Sequence, residues 1–69
     1  MSAVENSSQI AAIGYDPAAN ELHVQFHNGG IYAYENVPFD KADAFAKSDS
    51  KGRFLSQNIK GQHSYRKVS

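Results

Sequence analysis

Residues 21–38, ELHVQFHNGGIYAYENVP, decide the fold. Leu22, Val24 and Phe26 alternate with Glu21, His23, Gln25 and His27, the period-two pattern of a strand with one buried face. Asn28-Gly29-Gly30 then marks a hairpin, because these residues tolerate the positive φ that tight turns need. Ile31 to Val37 returns as the partner strand. Upstream, Gln9 to Tyr15 reads as another strand, with Ala11, Ile13 and Tyr15 on one face and Ile10 and Ala12 on the other. It is closed by the turn Asp16-Pro17-Ala18-Ala19-Asn20, where proline presets φ and Asp and Asn side chains bond back to the backbone. A three-stranded antiparallel meander follows.

Downstream, Pro38 opens a helix, since its missing N–H costs little in a first turn. Phe39, Ala42, Phe45 and Ala46 form one stripe that can lie on the sheet. Ser48-Asp49-Ser50 interrupts the pattern, and Ser50 is the expected N-cap of a second, shorter helix that ends before Gly61 and buries Phe54, Leu55 and Ile59. The tail, His63 to Ser69, fits either a loop or a short edge strand. The expected class is α+β, a three-stranded antiparallel meander followed by two short helices packed on one face. Residues 1–8 are small and polar and are expected to be disordered, leaving a single domain over residues 9–69.

Composition narrows the function classes. The chain has 69 residues, no cysteine and zero net charge, with 41% hydrophobic residues. That is enough for one small domain with a thin core, and it excludes a disulfide framework, a thiol nucleophile and a thiolate metal site. The longest apolar run, Ile10 to Ile13, is far short of the roughly 18 residues of a membrane span, and the N-terminus lacks signal-peptide features. A cytoplasmic protein with no membrane partner is the expectation. The neutrality conceals a division: residues 1–50 hold all seven acids and two lysines, a net charge of −5, whereas residues 51–69 hold five basic residues and no acid, +5. Such asymmetry points either to an anionic partner or to a basic tail that pairs with the protein's own acidic surface.

Several segments together resemble the KTSC domain, a short module found at the C-terminus of some lysyl-tRNA synthetases and as free-standing small bacterial proteins. The segments are Ile13-Gly14-Tyr15-Asp16, Phe26 to Gly29, Tyr32-Ala33-Tyr34, Val37-Pro38 and Ser50-Lys51-Gly52, followed by Asn58-Ile59. Their order and spacing cover roughly residues 8–68. RNA binding is what the resemblance implies, through the family's attachment to a tRNA synthetase. No synthetase accompanies these residues, so tRNA itself is not implied.

Three constellations bear on chemistry. Tyr32 and Tyr34 share a face of their strand. A two-residue loop at Asn28-Gly29 pairs Phe26 with Ile31 and turns both tyrosines to solvent, as a stacking platform for bases. A three-residue loop, Asn28 to Gly30, pairs Phe26 with Tyr32 and turns them inward, which the thin core favours because Ala33 would fill it poorly. Ser50-Lys51-Gly52-Arg53 is a helix start, where unpaired N–H groups and the helix dipole favour an anion. The competing reading is local compensation by Asp49, with Gly52 allowing close packing. His23 and His27 share a strand face but would stand about 13 Å apart, too far for one metal ion even with His63 added. No nucleophile elbow appears, and Asp40 and Asp43 are the only acids close together, on an exposed helix face, so no catalytic residue is assigned.

The expectation is therefore a small non-enzymatic binding module without cofactor or metal. Its ligand is RNA or another anion, held by Ser50, Lys51, Gly52, Arg53, Lys60, Arg66 and Lys67, with Tyr32, Tyr34 or Tyr65 stacking on bases. The alternative is a protein–protein interaction module, self-associating or binding a partner through a sheet edge.

Overall fold

A computed structural model describes residues 9–69 together with the backbone of Ser2 and Ala3. The order of elements is β1 (Ser2–Ala3), β2 (Ile10–Asp16), β3 (Glu21–Phe26), β4 (Ile31–Tyr34), α1 (Phe39–Lys47), α2 (Lys51–Phe54) and β5 (Tyr65–Lys67). A π-helical turn, Leu55–Ile59, continues α2 directly. The strands form one antiparallel sheet in the order β1-β2-β3-β4-β5, so every neighbour in space is a neighbour in sequence. The sheet thus exceeds the expected three-stranded meander: the tail resolves as the edge strand β5, and Ser2 and Ala3 pair with Ile13 and Ala12 on the opposite edge. Met1 and residues 4–8, the rest of the segment expected to be disordered, lie outside the described residues.

Turn chemistry follows the sequence. Asp16 Oδ1 accepts from the Ala18 and Ala19 amides at 3.0 and 3.4 Å, and Asn28 Oδ1 accepts from the Gly30 amide at 2.9 Å. The hairpin register differs from both alternatives. Val24 pairs with Tyr32 and Leu22 with Tyr34, and the loop is His27-Asn28-Gly29, with the Phe26 amide bonded to the Gly30 carbonyl at 2.9 Å. This register is displaced by two residues from the three-residue-loop alternative, so the parity is unchanged and both tyrosines point inward.

A bulge at Ala11 breaks the β2–β3 register between Ile10 and Ala12. It corrects the expected alternation: the extra residue brings Ile10 onto the same side as Ile13, and both are buried. The core on that side joins Ile10, Ile13, Leu22, Val24 and Tyr34 from the sheet to Val37, to Ala42 and Phe45 of α1, and to Leu55 and Ile59 of the π turn. Both helical segments therefore pack on one face. Phe39 and Ala46 do not join it. Phe39 is 63% exposed, its ring edge-on to Tyr15 at 6.0 Å, because the buried stripe of this short helix is only wide enough for Ala42 and Phe45.

Candidate functional site

The core takes Ile10, Ile13, Leu22 and Val24 from β2 and β3 but only Tyr34 from β4 and nothing from β5. The inner face of the β4–β5 half is left open. Between it and the loop Lys60–Ser64 runs a groove of about 750 Å³, with Phe26, Tyr32, Tyr34 and Tyr65 as its aromatic lining. The strand register explains the assembly: Tyr34 pairs with Tyr65 and Tyr32 with Lys67, and paired residues share a face. Phe26 and Tyr32 meet edge to face at 5.5 Å, Tyr32 and Tyr65 at 5.6 Å, and Tyr65 tilts against Tyr34 at 5.6 Å. Tyr34 is 3% exposed and forms the floor, whereas Tyr65 is 62% exposed at the mouth.

Among the described residues Lys60 is the one lysine, arginine or acid that lines the groove. Lys60 Nζ stands 5.7 Å from the centre of the Phe26 ring, a cation–π contact, and Lys67 extends from β5 on the Tyr32 side. Among the described residues no carboxylate lines the groove. Beyond Phe26 and Lys60 a shallower depression of about 360 Å³ continues past Gln9, His27 and Asn28.

The loop wall is braced from behind. His63 Nδ1 lies 3.1 Å from the Glu35 carbonyl oxygen, which can only accept, so Nδ1 carries the proton and Nε2 accepts from Lys41 Nζ at 2.9 Å. Lys41 Nζ also donates to the Asn58 carbonyl at 3.2 Å and to Gln62 Oε1 at 3.4 Å. All three ammonium donors are thus spent on tying the loop and the π turn before it to α1. Gly61, at φ 82°, supplies the left-handed turn that this loop requires.

Hydroxyl groups distinguish the tyrosines. Tyr15 donates its hydroxyl hydrogen to the Val37 carbonyl at 2.7 Å, with Asn20 Oδ1 a more distant acceptor at 3.3 Å. Among the described residues, the hydroxyls of Tyr32, Tyr34 and Tyr65 have no hydrogen-bond partner. Burial raises the pKa of Tyr34, and a charge on Tyr65 or Tyr32 would raise it further, so the Tyr34 phenol remains a neutral donor.

The residues singled out in the sequence fall into three places. Tyr32, Tyr34, Tyr65 and Lys60 line the groove, and Lys67 stands next to it, opposite Tyr32 on β5. Ser50, Lys51, Gly52 and Arg53 do not line it. Ser50 Oγ accepts from the Arg53 amide at 3.4 Å, and Lys51 Nζ donates to the Ser48 carbonyl at 3.0 Å beside the end of α1. A Cβ at Gly52 would rest at an ordinary 3.5 Å from Gln9 Oε1, so close packing does not require this glycine. Arg66 lies on the helix-free face, where Nη2 meets both oxygens of Glu21 at 2.8 and 3.0 Å. That pair realises, for Arg66, the reading of a basic tail held by the protein's own acids.

Histidine and acid placements follow. β3 ends at Phe26, so His27 sits in the hairpin loop and does not share a strand face with His23, which instead approaches Glu21 Oε1 at 3.2 Å. Asp43 is paired with Lys47 at 2.9 Å. Among the described residues no group of three His, Asp or Glu could hold a metal ion, and no helix is long and apolar enough to cross a membrane. Phe26 and the Gly61–Ser64 wall were not marked by the sequence as site residues. Their only local signal is the lysine next to a glycine at Lys60-Gly61.

Comparison with known proteins places this architecture. The KTSC domain model matches residues 6–65. A protein of Stutzerimonas stutzeri strain A1501 is 42% identical over 57 residues, 83% of this chain and 80% of that protein. A lysine–tRNA ligase of Nostoc sp. PCC 7120 is 36% identical over 62 residues, 90% of this chain but 11% of the ligase. The crystal structure of a KTSC domain protein from Yersinia pestis superposes with a TM-score of 0.91 at 42% identity, covering 97% of this chain and 93% of that one. The chain belongs to the KTSC domain family.

Proposed function

We propose that this domain is a small non-enzymatic module that binds RNA at the groove between β4–β5 and the Lys60–Ser64 loop. The observation that carries the reading is the meeting of Lys60 and the exposed ring of Tyr65 in one groove that no carboxylate of the described residues lines, with Lys67 next to it, opposite Tyr32 on β5. Cations beside an accessible aromatic ring are the elements of single-strand binding: the cations follow phosphates and the ring stacks on a base. The matching segment within a lysine–tRNA ligase, a protein that handles RNA, supports the same reading. Pairing of a protein strand with the sheet edge has less support. β5 is three residues long and carries Arg66 and Lys67, and charged short edges are how sheets discourage such pairing.

Fluorescence anisotropy with a labelled single-stranded RNA of about 12 nucleotides tests the reading. Two lysine–phosphate contacts give a slope of log affinity against log salt near −1.4. Absence of binding at about 50 mM salt, where such contacts are strongest, would overturn it.

A further inference from the structure

We infer that the Tyr34 hydroxyl, on the groove floor, donates a hydrogen bond to the edge of an unpaired base, so that the groove accepts a single strand and rejects a duplex. This rests on the RNA reading above and specifies which part of the ligand the groove takes.

Buried tyrosine hydroxyls normally find a partner within the protein, because an unsatisfied polar group out of water is costly. Tyr15 follows that rule, with its bond to the Val37 carbonyl. Tyr34 reaches water instead. Its residue is 3% exposed, it belongs to the hydrophobic core, and its ring is packed against Tyr65, yet its hydroxyl has no bonded neighbour among the described residues and is not sealed from solvent. The oxygen opens instead into the groove that the ring lines. No described group of the protein claims the hydroxyl, which leaves it available to a ligand.

What reaches the floor must be flat, deep and able to accept. A nucleobase entered edge first meets all three conditions. Its carbonyl oxygens and ring nitrogens accept hydrogen bonds, its face can lie on Tyr65 at the mouth, and the phosphates beside it stay at the level of Lys60 and Lys67. The groove, at about 750 Å³, is within the roughly 300–1,000 Å³ of sites that enclose small ligands. In a duplex the pairing edges are already bonded and the bases are stacked on each other, leaving only phosphates to touch the lysines. The floor hydroxyl then goes unused.

The test compares wild type and Tyr34→Phe against a single-stranded RNA of about 12 nucleotides and against the same strand annealed to its complement. The expected result is that wild type prefers the single strand by at least about tenfold, the gain of stacking over phosphate contact alone. Tyr34→Phe loses about 3- to 10-fold on the single strand, the worth of one hydrogen bond, with no change on the duplex and an unchanged thermal melt. Equal affinity for single strand and duplex overturns the inference, as does a Tyr34→Phe variant that binds like wild type. A Tyr34→Phe variant that fails to fold also overturns it, since the hydroxyl would then have a structural role. In each of those outcomes RNA binding that is weakened by Lys60→Ala with Lys67→Ala keeps the broader reading. Wild type that binds neither RNA removes both.

Discussion

Arg66 reaches Glu21 across the helix-free face of the sheet, one guanidinium nitrogen lying 2.8 and 3.0 Å from the two carboxylate oxygens. The side chain starts on β5 and ends on β3, so it must cross β4, where its partner in register is Ala33. Ala33 is wholly buried although it points away from the helices. A small residue at that position lets the arginine lie flat and cover the strand. His23 approaches the same carboxylate from the other side of Ala33 at 3.2 Å.

This cluster predicts an acid-side dependence of stability. The hydrogen bond from Arg66 lowers the Glu21 pKa, with a second contribution from His23 and an opposing one from desolvation. A carboxylate with a depressed folded pKa stabilises the fold at all pH above its unfolded value, and the contribution is lost as pH falls through the folded value. Arg66→Ala should therefore melt below wild type at neutral pH, with the two melts converging as pH drops beneath the ordinary carboxylate range. Thermal melts at several pH values measure this. A gap that persists in acid would show that Arg66 acts through packing on Ala33 alone.

Tyr15, unlike Tyr34, should lose stability when its hydroxyl is removed. Tyr15→Phe removes the bond that ties β2 to the chain leading into α1 and leaves the Val37 carbonyl without its donor. A cost of about 1 kcal/mol is expected. Urea denaturation reads this directly, and a Tyr15→Phe midpoint equal to that of wild type would show that water replaces the tyrosine at the Val37 carbonyl.

Tyr34 also has a signature in alkali. Tyr34, its pKa raised by burial and by the nearby Tyr65 and Tyr32, should ionise above the usual tyrosine value near 10. A folded pKa above the unfolded one means that the neutral ring favours the fold, and this advantage disappears as pH climbs past the unfolded value toward the folded one. Absorbance titration near 295 nm should show a late component that Tyr34→Phe removes. Loss of an early component instead would contradict the buried placement.

Phe45 is the largest wholly buried side chain and contacts Phe54 at 5.7 Å, joining α1 to the start of the second helical segment. Truncation to alanine costs about 3–5 kcal/mol. At about 0.05–0.15 kcal/mol per residue, that is a large share of what a chain of this size possesses. Phe45→Ala should have a sharply lowered denaturation midpoint or no cooperative transition at all. A melt within a few degrees of wild type would mean that the two helical segments are not held by this contact.

The sequence reveals the parts whose causes are local. Alternation from Leu22 to Phe26 defines β3, Asp16 and Asn28 mark their turns, and Ser50 caps its helix. Features that depend on distant partners are not visible in this way. The Ile10-Ala11-Ala12-Ile13 run is equally apolar on both sides, so nothing local announces a bulge that puts Ile10 and Ile13 together. Tyr65-Arg66-Lys67 is too short and polar to be told from a loop until β4 lies beside it. The groove is harder still, since Phe26, Tyr32, Tyr65 and Lys60 come from four separate segments. The missing partner of the Tyr34 hydroxyl is a property of the assembled neighbourhood alone.

Which cations matter decides between the groove and the helix start. Lys60 and Lys67 flank the groove, the first over Phe26 and the second beside Tyr32. Arg66 is committed to Glu21, and Lys51 spends a donor on the Ser48 carbonyl. Side chains already placed beside the ligand lose less freedom on binding, and ordering a long side chain costs about 0.5–1.5 kcal/mol. Lys60→Ala with Lys67→Ala should therefore weaken binding of single-stranded RNA strongly and flatten the salt slope by about 1.4, the share of two phosphates. Lys51→Ala with Arg53→Ala should change both much less, and neither pair should shift stability by more than about 0.5 kcal/mol, as is usual for exposed charges. If the Lys51 and Arg53 pair instead carries the loss, the ligand sits at the amides capped by Ser50, and the groove is not its seat. Equal losses from both pairs would mean diffuse attraction to the basic block as a whole, for which Tyr65→Ala should then leave affinity unchanged.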